Sequence, residues 1–403
     1  MRIAFSDEIY GAAAQTAAEE IKAATKEFAG RLPSSAAERD AAVRLKEELE
    51  KCSDSVVTEE FAVAPAAATG WVYFTAICAV LAYVTYFFVS FLSVVFVIAA
   101  LVPFVVQGLL CLPCFDGMYV TRTSQNVTAT KKCVGERRKR VILVAHADAA
   151  PVSPLKSALG TRGVAVVCAL AVLGVLYVLA ADIARWAYMG SMGSGLVVGE
   201  YLYAGLAGIV FVPVWIACFF VFGGKKVSEG ASDNLSGCYT ALALMRTLKD
   251  NGAATESTEL TVVVTGAEEC GMRGAAAWCK AHADEDKSDT VVIALDTLRE
   301  ADKFAVSLRE LNGLVGTDAA LAEALTDAAG AAGIICEKRA CSFGATDAVA
   351  FARAGYRAAS LTASDAMADY IHTPRDNAEG VNAEAIEGAL RVLVEYLDRA
   401  DND

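Results

Sequence analysis

The sequence predicts an α/β protein, a three-layer α/β/α sandwich around a mostly parallel mixed sheet, with four transmembrane helices in two inserted hairpins. Two observations predict the sandwich. Short runs of β-branched and apolar residues recur along the chain, and helical patterns separate them, which is the alternation typical of parallel βαβ units. A third observation predicts the hairpins, because two long blocks of the chain are nearly free of charged side chains.

The chain is too apolar for an ordinary soluble protein, with 403 residues, 55% hydrophobic side chains and a mean hydropathy of +0.42. Residues 61–115 contain no charged side chain, which is enough for two helices of about 20 residues that each cross a bilayer. A second block comprises Gly163–Ala181 and Tyr201–Gly224, with Asp182 and Arg185 expected between its two spans. These blocks predict four membrane helices rather than the buried core helices of a large globule.

The predicted hairpins, 68–114 and 163–224, divide the rest of the chain into residues 1–64, 115–160 and 225–403. We expect these three segments to form one discontinuous domain, and because each hairpin crosses the bilayer an even number of times, all three lie on the same side. That side is predicted to be cytoplasmic, since basic residues gather outside the hairpins. These residues are Lys131, Lys132, Arg137, Arg138, Lys139, Arg140, Lys156, Arg162, Lys225 and Lys226.

The net charge of −13 argues against nucleic acid as a partner, because such a partner requires a basic face on the whole domain. The lipid bilayer is the partner that the apolar blocks indicate. The composition does not determine the oligomeric state.

The polar segments carry the elements of the predicted sandwich. Ser35 and Glu38 have the spacing of a capping box at the start of a helix. Helices are predicted at Asp7–Phe28, Ser35–Cys52, Cys238–Leu248, Gly274–Ala283, Thr317–Ala332 and Asn382–Arg399. Strands are predicted at Val56–Ala64, Asn126–Thr130, Arg140–Ala145, Glu259–Thr265, Thr290–Leu295, Gly333–Lys338 and Tyr356–Thr362.

Residues of the kinds that bind metal ions follow three predicted strands: His146, the pair Glu268-Glu269, and Asp296. Each alone has an ordinary explanation as a structural histidine, a solvated loop acid or a cap. Asp233 precedes a helix and His372 lies in a polar segment, so they also have ordinary explanations. Together, at the strand ends where α/β sheets form their sites, this mixed set suits zinc, or less specifically manganese or cobalt.

The pattern resembles the zinc-dependent exopeptidase family that includes bacterial leucyl aminopeptidases and glutamate carboxypeptidase, with glutaminyl cyclases and transferrin receptor as relatives. The resemblance covers about residues 15–64 and 124–400, which is everything except the hairpins. The matching pieces are His146-x-Asp148, Gly230-Ala-Ser-Asp233-Asn-x-Ser-Gly237, Glu268-Glu269-x-Gly271, Asp296 and Tyr370-x-His372-Thr-Pro-x-Asp376.

The resemblance implies two zinc ions and a peptide substrate. It assigns His146 and Glu269 to one ion and Asp296 and His372 to the other, with Asp233 bridging the two. Glu268 becomes the general base, and Asp148 orients His146. Two metal ions can polarise a scissile carbonyl and activate a shared water, so the implied protein is a membrane-anchored aminopeptidase.

The sequence leaves two other interpretations of the function open. The domain could be a non-catalytic receptor or scaffold, although relatives of that kind tend to lose metal ligands and all five are present here. The same site could also perform carboxypeptidase action, glutaminyl cyclisation or another amide reaction. The segment from Thr346 to Phe351 departs from the family at Ala348, where relatives commonly have histidine, and this leaves the substrate pocket undetermined.

Overall fold

The computed structural model describes residues 3–189, 195–222, 226–341 and 343–402, and the predicted positions Gly224 and Lys225 lie outside this part of the chain. The chain divides into two compact units. One contains Met1–Pro65, Thr121–Pro151 and Lys226–Asp403, and the other contains Ala66–Val120 and Val152–Lys225. Residues 115–120 and 152–160 therefore belong to the unit of the hairpins rather than to the polar domain in which they are predicted.

Within the described residues, nine strands form one mixed sheet in the first unit. They are β1 (Ser55–Val63), β2 (Arg122–Lys131), β3 (Lys139–His146), β4 (Thr258–Thr265), β5 (Thr290–Leu298), β6 (Phe304–Glu310), β7 (Val315–Gly316), β8 (Cys336–Ala340) and β9 (Arg357–Ala363). Their order is β1-β2-β4-β3-β5-β9-β6-β7, with β8 beside β6. The central strands β4, β3, β5 and β9 run parallel to one another. The antiparallel pairs are β1 with β2, β2 with β4, β6 with β9 and β6 with β7.

The helices of this unit cover both faces of the sheet. They are α1 (Asp7–Glu27), α2 (Ala36–Glu50), α8 (Ser236–Asp250), α9 (Arg273–Ala281), α10 (Ala319–Ala331), α11 (Ala348–Arg353) and α12 (Ala383–Asn402), numbered to leave α3–α7 for the second unit. Helices α1, α2, α8, α10 and α12 share one hydrophobic core, and α9 and α11 pack against each other.

The alternation along the central strands shows why both faces are covered. On β3, Val141, Leu143 and Ala145 belong to the core of α1, α8 and α12, whereas Ile142 and Val144 are equally buried but lie outside that core. Successive side chains of a strand point to opposite faces, so the two sets face different helical layers. Burying a Val, Leu or Ile side chain contributes roughly 1.5–3 kcal/mol, and this doubly buried pattern is typical of parallel strands. The predicted α/β/α fold is confirmed.

In the sheet-containing unit, the predicted helices and strands match the observed ones to within a few residues, apart from β6, β7 and α11, which the sequence analysis does not predict. Ser35 caps α2 as predicted, since its hydroxyl accepts a hydrogen bond from the Glu38 N–H at 3.1 Å. The second half of the capping box differs, because the Glu38 carboxylate accepts from the N–H of Ser34, at 2.6 Å, rather than from that of Ser35.

The second unit consists of apolar helices. They are α3 (Pro65–Tyr86), α4 (Ser90–Pro103, continued by a π-helical segment at Phe104–Leu109), α5 (Pro154–Met189), α6 (Glu200–Ala207) and α7 (Val212–Cys218), the last two joined by a 3₁₀ turn at Gly208–Phe211. Among the described residues, four helical stretches are long and apolar enough to cross a membrane: Pro65–Tyr86, Ser90–Leu109, Pro154–Met189 and Glu200–Cys218. Within α5, Gly160 has a φ of 70° and interrupts the helical geometry.

Helix α5 corrects the expected end of the third span. Asp182 and Arg185 lie inside this helix and are buried, rather than between spans as predicted. The Asp182 carboxylate accepts hydrogen bonds from the hydroxyls of Ser90 and Ser93, the latter at 2.6 Å, and Arg185 donates to the carbonyl of Tyr86 at 2.9 Å. These bonds join α5 to the first hairpin through polar groups that hydrocarbon cannot satisfy.

Each hairpin leaves and re-enters the sheet-containing unit at neighbouring backbone positions. Strands β1 and β2 flank the first hairpin and pair directly, up to Val63 opposite Arg122. At the second hairpin Pro151 forms a β-bridge with Val227, and the Ser228 N–H donates to the Ala150 carbonyl at 2.9 Å. Backbone pairing therefore closes the base of both insertions, within the sheet at the first hairpin and through an isolated bridge at the second.

Candidate metal centre

The candidate site lies at the carboxyl ends of the central strands. His146 is the last residue of β3, Glu268 and Glu269 follow β4 after a short turn, and Asp296 lies near the end of β5. Because β3 is hydrogen-bonded to β4 on one side and to β5 on the other, its terminal imidazole lies between the two acidic strand ends. This is the edge at which parallel sheets place their functional groups.

Asp233 is brought to this edge by the segment that leads into α8. The N–H groups of Ser232 and Asp233 donate to the carboxylate of Asp376, at 2.7 and 3.2 Å. Gly230 precedes them with a φ of 57°, and a Cβ on it would lie 2.8 Å from both the Ala149 side chain and the guanidinium of Arg31. Only glycine fits this turn, and the turn aims Asp233 at His146.

Two groups of potential metal ligands share Asp233. In the first, His146 Nε2 lies 3.1 Å from Asp233 Oδ1 and 3.9 Å from Asp296 Oδ2. In the second, His372 Nε2 lies 3.2 Å from Asp233 Oδ2 and 3.1 Å from Glu269 Oε2. The ligand atoms within each group all lie within 4.8 Å of one another. Asp233 thus presents one carboxylate oxygen to each group, as a bridging ligand would.

The structure corrects the expected division of the ligands. The resemblance assigned His146 and Glu269 to one ion and Asp296 and His372 to the other. The observed groups instead combine His146 with Asp296 and Glu269 with His372. The five residues come together as predicted, and Asp233 remains common to both groups, but the partners on either side of it are exchanged.

The chemistry of these groups fits zinc. Zinc binds nitrogen and oxygen ligands at about 2.0–2.2 Å in tetrahedral geometry, which puts neighbouring ligand atoms about 3.3 Å apart. The separations of 3.1 and 3.2 Å from Asp233 to the two imidazoles agree with this value. Within the described part of the chain, Glu269 Oε1 is in addition a buried oxygen without a hydrogen-bond partner. A cation is the partner that such an acceptor requires.

The ionisable groups of the site also require positive charge. Burial alone would lower the pKa of His372, but the carboxylates of Glu269 and Asp233 raise this pKa to about 10. Burial and the negative charge of Asp233 raise the pKa of Asp296 to about 8. In a protein without metal, protons would therefore provide the compensating charge. Metal ions that displace them make ligands of the neutral imidazoles and ionised carboxylates.

Glu268 lies beside the two ligand groups but belongs to neither. Its Oε2 is 3.9 Å from His146 Nε2, and its side chain is 12% exposed. Burial raises the pKa of Glu268 well above its usual value, His146 opposes the shift, and the charge of Asp347 adds to it. A carboxylate next to the ligands, but not among them, can exchange a proton with a group held at the site.

Asp148 has a different main contact from the one expected. Its two oxygens accept hydrogen bonds from the backbone N–H groups of Glu268 and Glu269, both at 3.0 Å. His146 Nδ1 lies 3.5 Å from Asp148 Oδ1 and 3.2 Å from the Asp148 carbonyl oxygen. Asp148 therefore contacts His146 as predicted, and it also anchors the turn that carries both glutamates.

Sequence reasoning missed three buried charged residues around the site. Arg31 donates to the carbonyls of Ala147 and Glu229, both at 2.8 Å, and so joins the segments that carry His146 and Asp233. Asp347 accepts from the Thr265 hydroxyl at 2.5 Å, and Glu38 contacts the glutamate turn. Arg31 and Glu38 lie more than 100 positions before the residues they hold, so no local pattern could reveal them.

Comparison with known proteins agrees with this geometry. Residues 220–397 match the model of Peptidase family M28, which is less than half of the chain and includes Asp233, Glu269, Asp296 and His372 but not His146. The chain matches no curated protein by sequence.

Three solved structures illustrate the structural likeness. The zinc aminopeptidase BSAP from Bacillus subtilis has a TM-score of 0.57 at 16% identity, over 96% of this chain and 95% of that one. LapB from Legionella pneumophila has a TM-score of 0.56 at 11% identity, over 100% and 76%. Glutaminyl cyclase from Porphyromonas gingivalis has a TM-score of 0.54 at 14% identity, over 96% and 98%. At such identities the likeness shows the fold.

The fold is that of the zinc-dependent exopeptidases, and the resemblance predicted from the sequence is confirmed. Within that class the match is to Peptidase family M28. The fold and this match support a zinc-dependent metallopeptidase.

Proposed function

We propose that the protein is a membrane-anchored aminopeptidase that holds two zinc ions and releases N-terminal residues from peptides. The observation that carries the proposal is the arrangement around Asp233. Two ligand groups share this carboxylate, and Glu268 lies beside both without joining either. A non-catalytic receptor has no need of a sixth carboxylate or imidazole group in that position.

His146, Asp233 and Asp296 would hold one zinc ion, and Asp233, Glu269 and His372 would hold the other. When bound, the ions supply Lewis-acid polarisation of the scissile carbonyl and acidify the attacking water. Asp376 and Arg31 hold the backbone of the Asp233 segment, so the shared ligand does not depend on the substrate for its position.

Glu268 would act as the general base. Its carboxylate takes the proton of the attacking water and returns it to the nitrogen of the leaving amine, so that one residue serves both halves of the hydrolysis. Asp148 fixes the backbone of Glu268 through the N–H bond described above, and it fixes that of the adjacent ligand Glu269 in the same way. The base and a metal ligand are therefore positioned by one buried carboxylate.

The test is digestion of a mixed peptide library by the purified full-length protein in detergent, followed by mass spectrometry. We expect loss of single residues from free N-termini. Glu268→Gln should abolish this loss while zinc content stays at the wild-type value, because Glu268 is not among the ligands. Glu384→Gln, an exposed change on α12, is the control. Unchanged hydrolysis by Glu268→Gln would remove Glu268 from the mechanism.

Glutaminyl cyclisation is the second candidate, because glutaminyl cyclases from two bacteria are among the similar structures. The same library separates the candidates. A cyclase removes ammonia from peptides that begin with glutamine and leaves their length unchanged, whereas a carboxypeptidase shortens the other end. If the peptides stay unchanged and the purified protein contains no zinc, a role as a receptor or scaffold would be favoured.

We also propose that the four apolar helices span a membrane and that the sheet-containing unit faces the cytoplasm. The lengths of the apolar helices support the spans, and the basic residues outside the predicted hairpins support the orientation. Cys133, in the sheet-containing unit, provides a test with an impermeant thiol reagent. We expect modification only after cells are opened, and Cys133→Ser identifies the signal. Modification of Cys133 in intact cells would reverse the orientation.

A further inference from the structure

The turn that carries Glu268 is held by side chains from remote parts of the chain. Four successive backbone N–H groups, those of residues 266–269, all donate to side-chain oxygens. Gly266 donates to Asn126 at 3.2 Å, Ala267 to Glu38 at 2.8 Å, and Glu268 and Glu269 to Asp148 at 3.0 Å each. Asp148 follows β3 and Asn126 lies in β2, whereas Glu38 belongs to α2, which precedes every strand of the sheet.

The conformation of this turn explains why it needs such support. Ala267 has a φ of 53°, in the left-handed region that a residue with a side chain adopts at a cost. Gly266 is packed so closely that a Cβ on it would lie 2.8 Å from Glu38 Oε1 and 2.4 Å from the Ser124 hydroxyl. A backbone in this state persists only where its surroundings determine it, and the Glu38 carboxylate is part of those surroundings.

Glu38 is suited to this role because its carboxylate receives hydrogen bonds from three segments. Oε1 accepts from the Ala267 N–H at 2.8 Å and from the Ser124 hydroxyl at 3.0 Å, and Oε2 accepts from the Ser34 N–H at 2.6 Å. The side chain is 2% exposed. Glu38 therefore joins the start of α2, strand β2 and the glutamate turn, and it has no contact with the ligand groups themselves.

We propose that Glu38 is a positioning residue for the general base, which it places by fixing the Gly266–Ala267 peptide group, one residue before the peptide group that Asp148 holds. This inference rests on the proposed function, since it concerns the same base. The ordinary alternative is that Glu38 serves only to cap α2. The two differ in what they predict for the turn: a cap stabilises the protein without changing the step that Glu268 performs.

Glu38→Gln tests the difference. The glutamine amide has only one acceptor oxygen, so it can accept a hydrogen bond from the Ala267 N–H or from the Ser34 N–H but not from both. Its NH₂ group would then lie against the other N–H, which is also a donor. We expect kcat to fall roughly ten- to a hundredfold, the scale that misplacement of a reacting group causes. We expect KM to stay within about twofold and zinc content to stay at the wild-type value. Glu38→Asp, which keeps the charge but shortens the reach, should show the same loss.

The matched control is Asp401→Asn at the opposite end of the same strand. Asp401 accepts hydrogen bonds from the N–H groups of Glu256, Ser257 and Thr258, at 2.7, 2.7 and 2.8 Å, where β4 begins. It thus anchors backbone as Glu38 does, but away from the site. We expect Asp401→Asn to lower the melting temperature and to leave kcat unchanged.

Amide hydrogen exchange of residues 266–272, followed by mass spectrometry, supplies a readout that does not depend on activity. We expect at least tenfold faster exchange in Glu38→Gln and unchanged exchange in Asp401→Asn. If exchange and kcat are the same in the two variants, or if kcat falls only in proportion to zinc, Glu38 does not position the base. A wild-type protein that cleaves no peptide would refute the proposed function, and the exchange result would still show whether Glu38 fixes the turn of residues 266–269.

Discussion

The division of the metal ligands can be tested by counting ions in double variants. The geometry pairs His146 with Asp296 and Glu269 with His372, on either side of Asp233. Replacing both members of one pair, as in His146→Ala with Asp296→Asn, should remove one ion and leave the other. Replacing one member of each pair, as in His146→Ala with Glu269→Gln, should remove both. The pairing implied by the family resemblance predicts the opposite result for each double variant.

The size of the effect follows from the number of ligands. Each group has three protein ligands, one of which is shared. If a zinc site with four protein ligands contributes about 10–16 kcal/mol of binding free energy, one ligand accounts for about 2.5–4 kcal/mol. That is roughly two to three orders of magnitude in affinity for each ligand, so loss of one ligand, and still more the loss of both, should empty a site at zinc concentrations that just saturate the wild type.

The assay is elemental analysis of full-length protein after gel filtration in buffer with a fixed free zinc concentration. We expect two ions in the wild type and in the Glu384→Gln control. The first double variant should retain one ion and the second none. A circular dichroism spectrum confirms that each variant is folded. If the variant lacking His146 and Glu269 keeps one ion while the variant lacking His146 and Asp296 keeps none, the pairing derived from the geometry is wrong.

Two further predictions concern the fold. Replacing residues 66–120 and 152–225 by short turns should yield a domain that is soluble without detergent and binds zinc. The reason is that Val63 pairs with Arg122 and Pro151 with Val227, so each replacement joins neighbouring backbone positions. Aggregation of this domain in detergent-free buffer, or its failure to bind zinc, would contradict the prediction. Burial alone would raise the pKa of Asp401, but three backbone N–H bonds lower it below 3.8. This depressed pKa stabilises the fold above pH 3.8, and the effect is lost as the pH falls through the folded-state pKa. Asp401→Asn should therefore melt about 2–4 °C lower at pH 7, for a loss of about 1 kcal/mol, with the difference vanishing in acid; a difference independent of pH would refute this account.

The central strands could be predicted because their burial is a local property of the sequence. The apolar run Arg140–Ala145 is buried on both faces, so almost every position must be apolar, and the observed strand β3 differs by one residue at each end. The residues that follow such runs lie at the edge of the sheet, which is why His146, Glu268 and Asp296 could be placed together. Strand β6 escaped notice because its polar residues Ser307 and Arg309 interrupt the pattern.

The pairing of the ligands could not be predicted because it depends on the spatial order of the strands. His146 ends β3, which lies between β4 and β5, so Glu269 and Asp296 flank it from opposite sides. Neither the order of these residues along the chain nor their types determines which one comes closer. Glu38 shows the same limit, since its hydrogen bond to Ala267 joins residues that only the complete sheet brings together.

The two insertions also determine when the sheet can form during synthesis. Strand β2 needs β4 as its second neighbour, and β3 is flanked by β4 and β5, but the second hairpin is translated before either of these later strands. When the ribosome has reached Pro151, strands β1, β2 and β3 have been synthesised, but only β1 and β2 are neighbours in the sheet. If the apolar helices span a membrane as proposed, both hairpins would enter the bilayer before the sheet is complete. Membrane attachment would then keep the early and late segments of the chain at high effective concentration until β4 is synthesised.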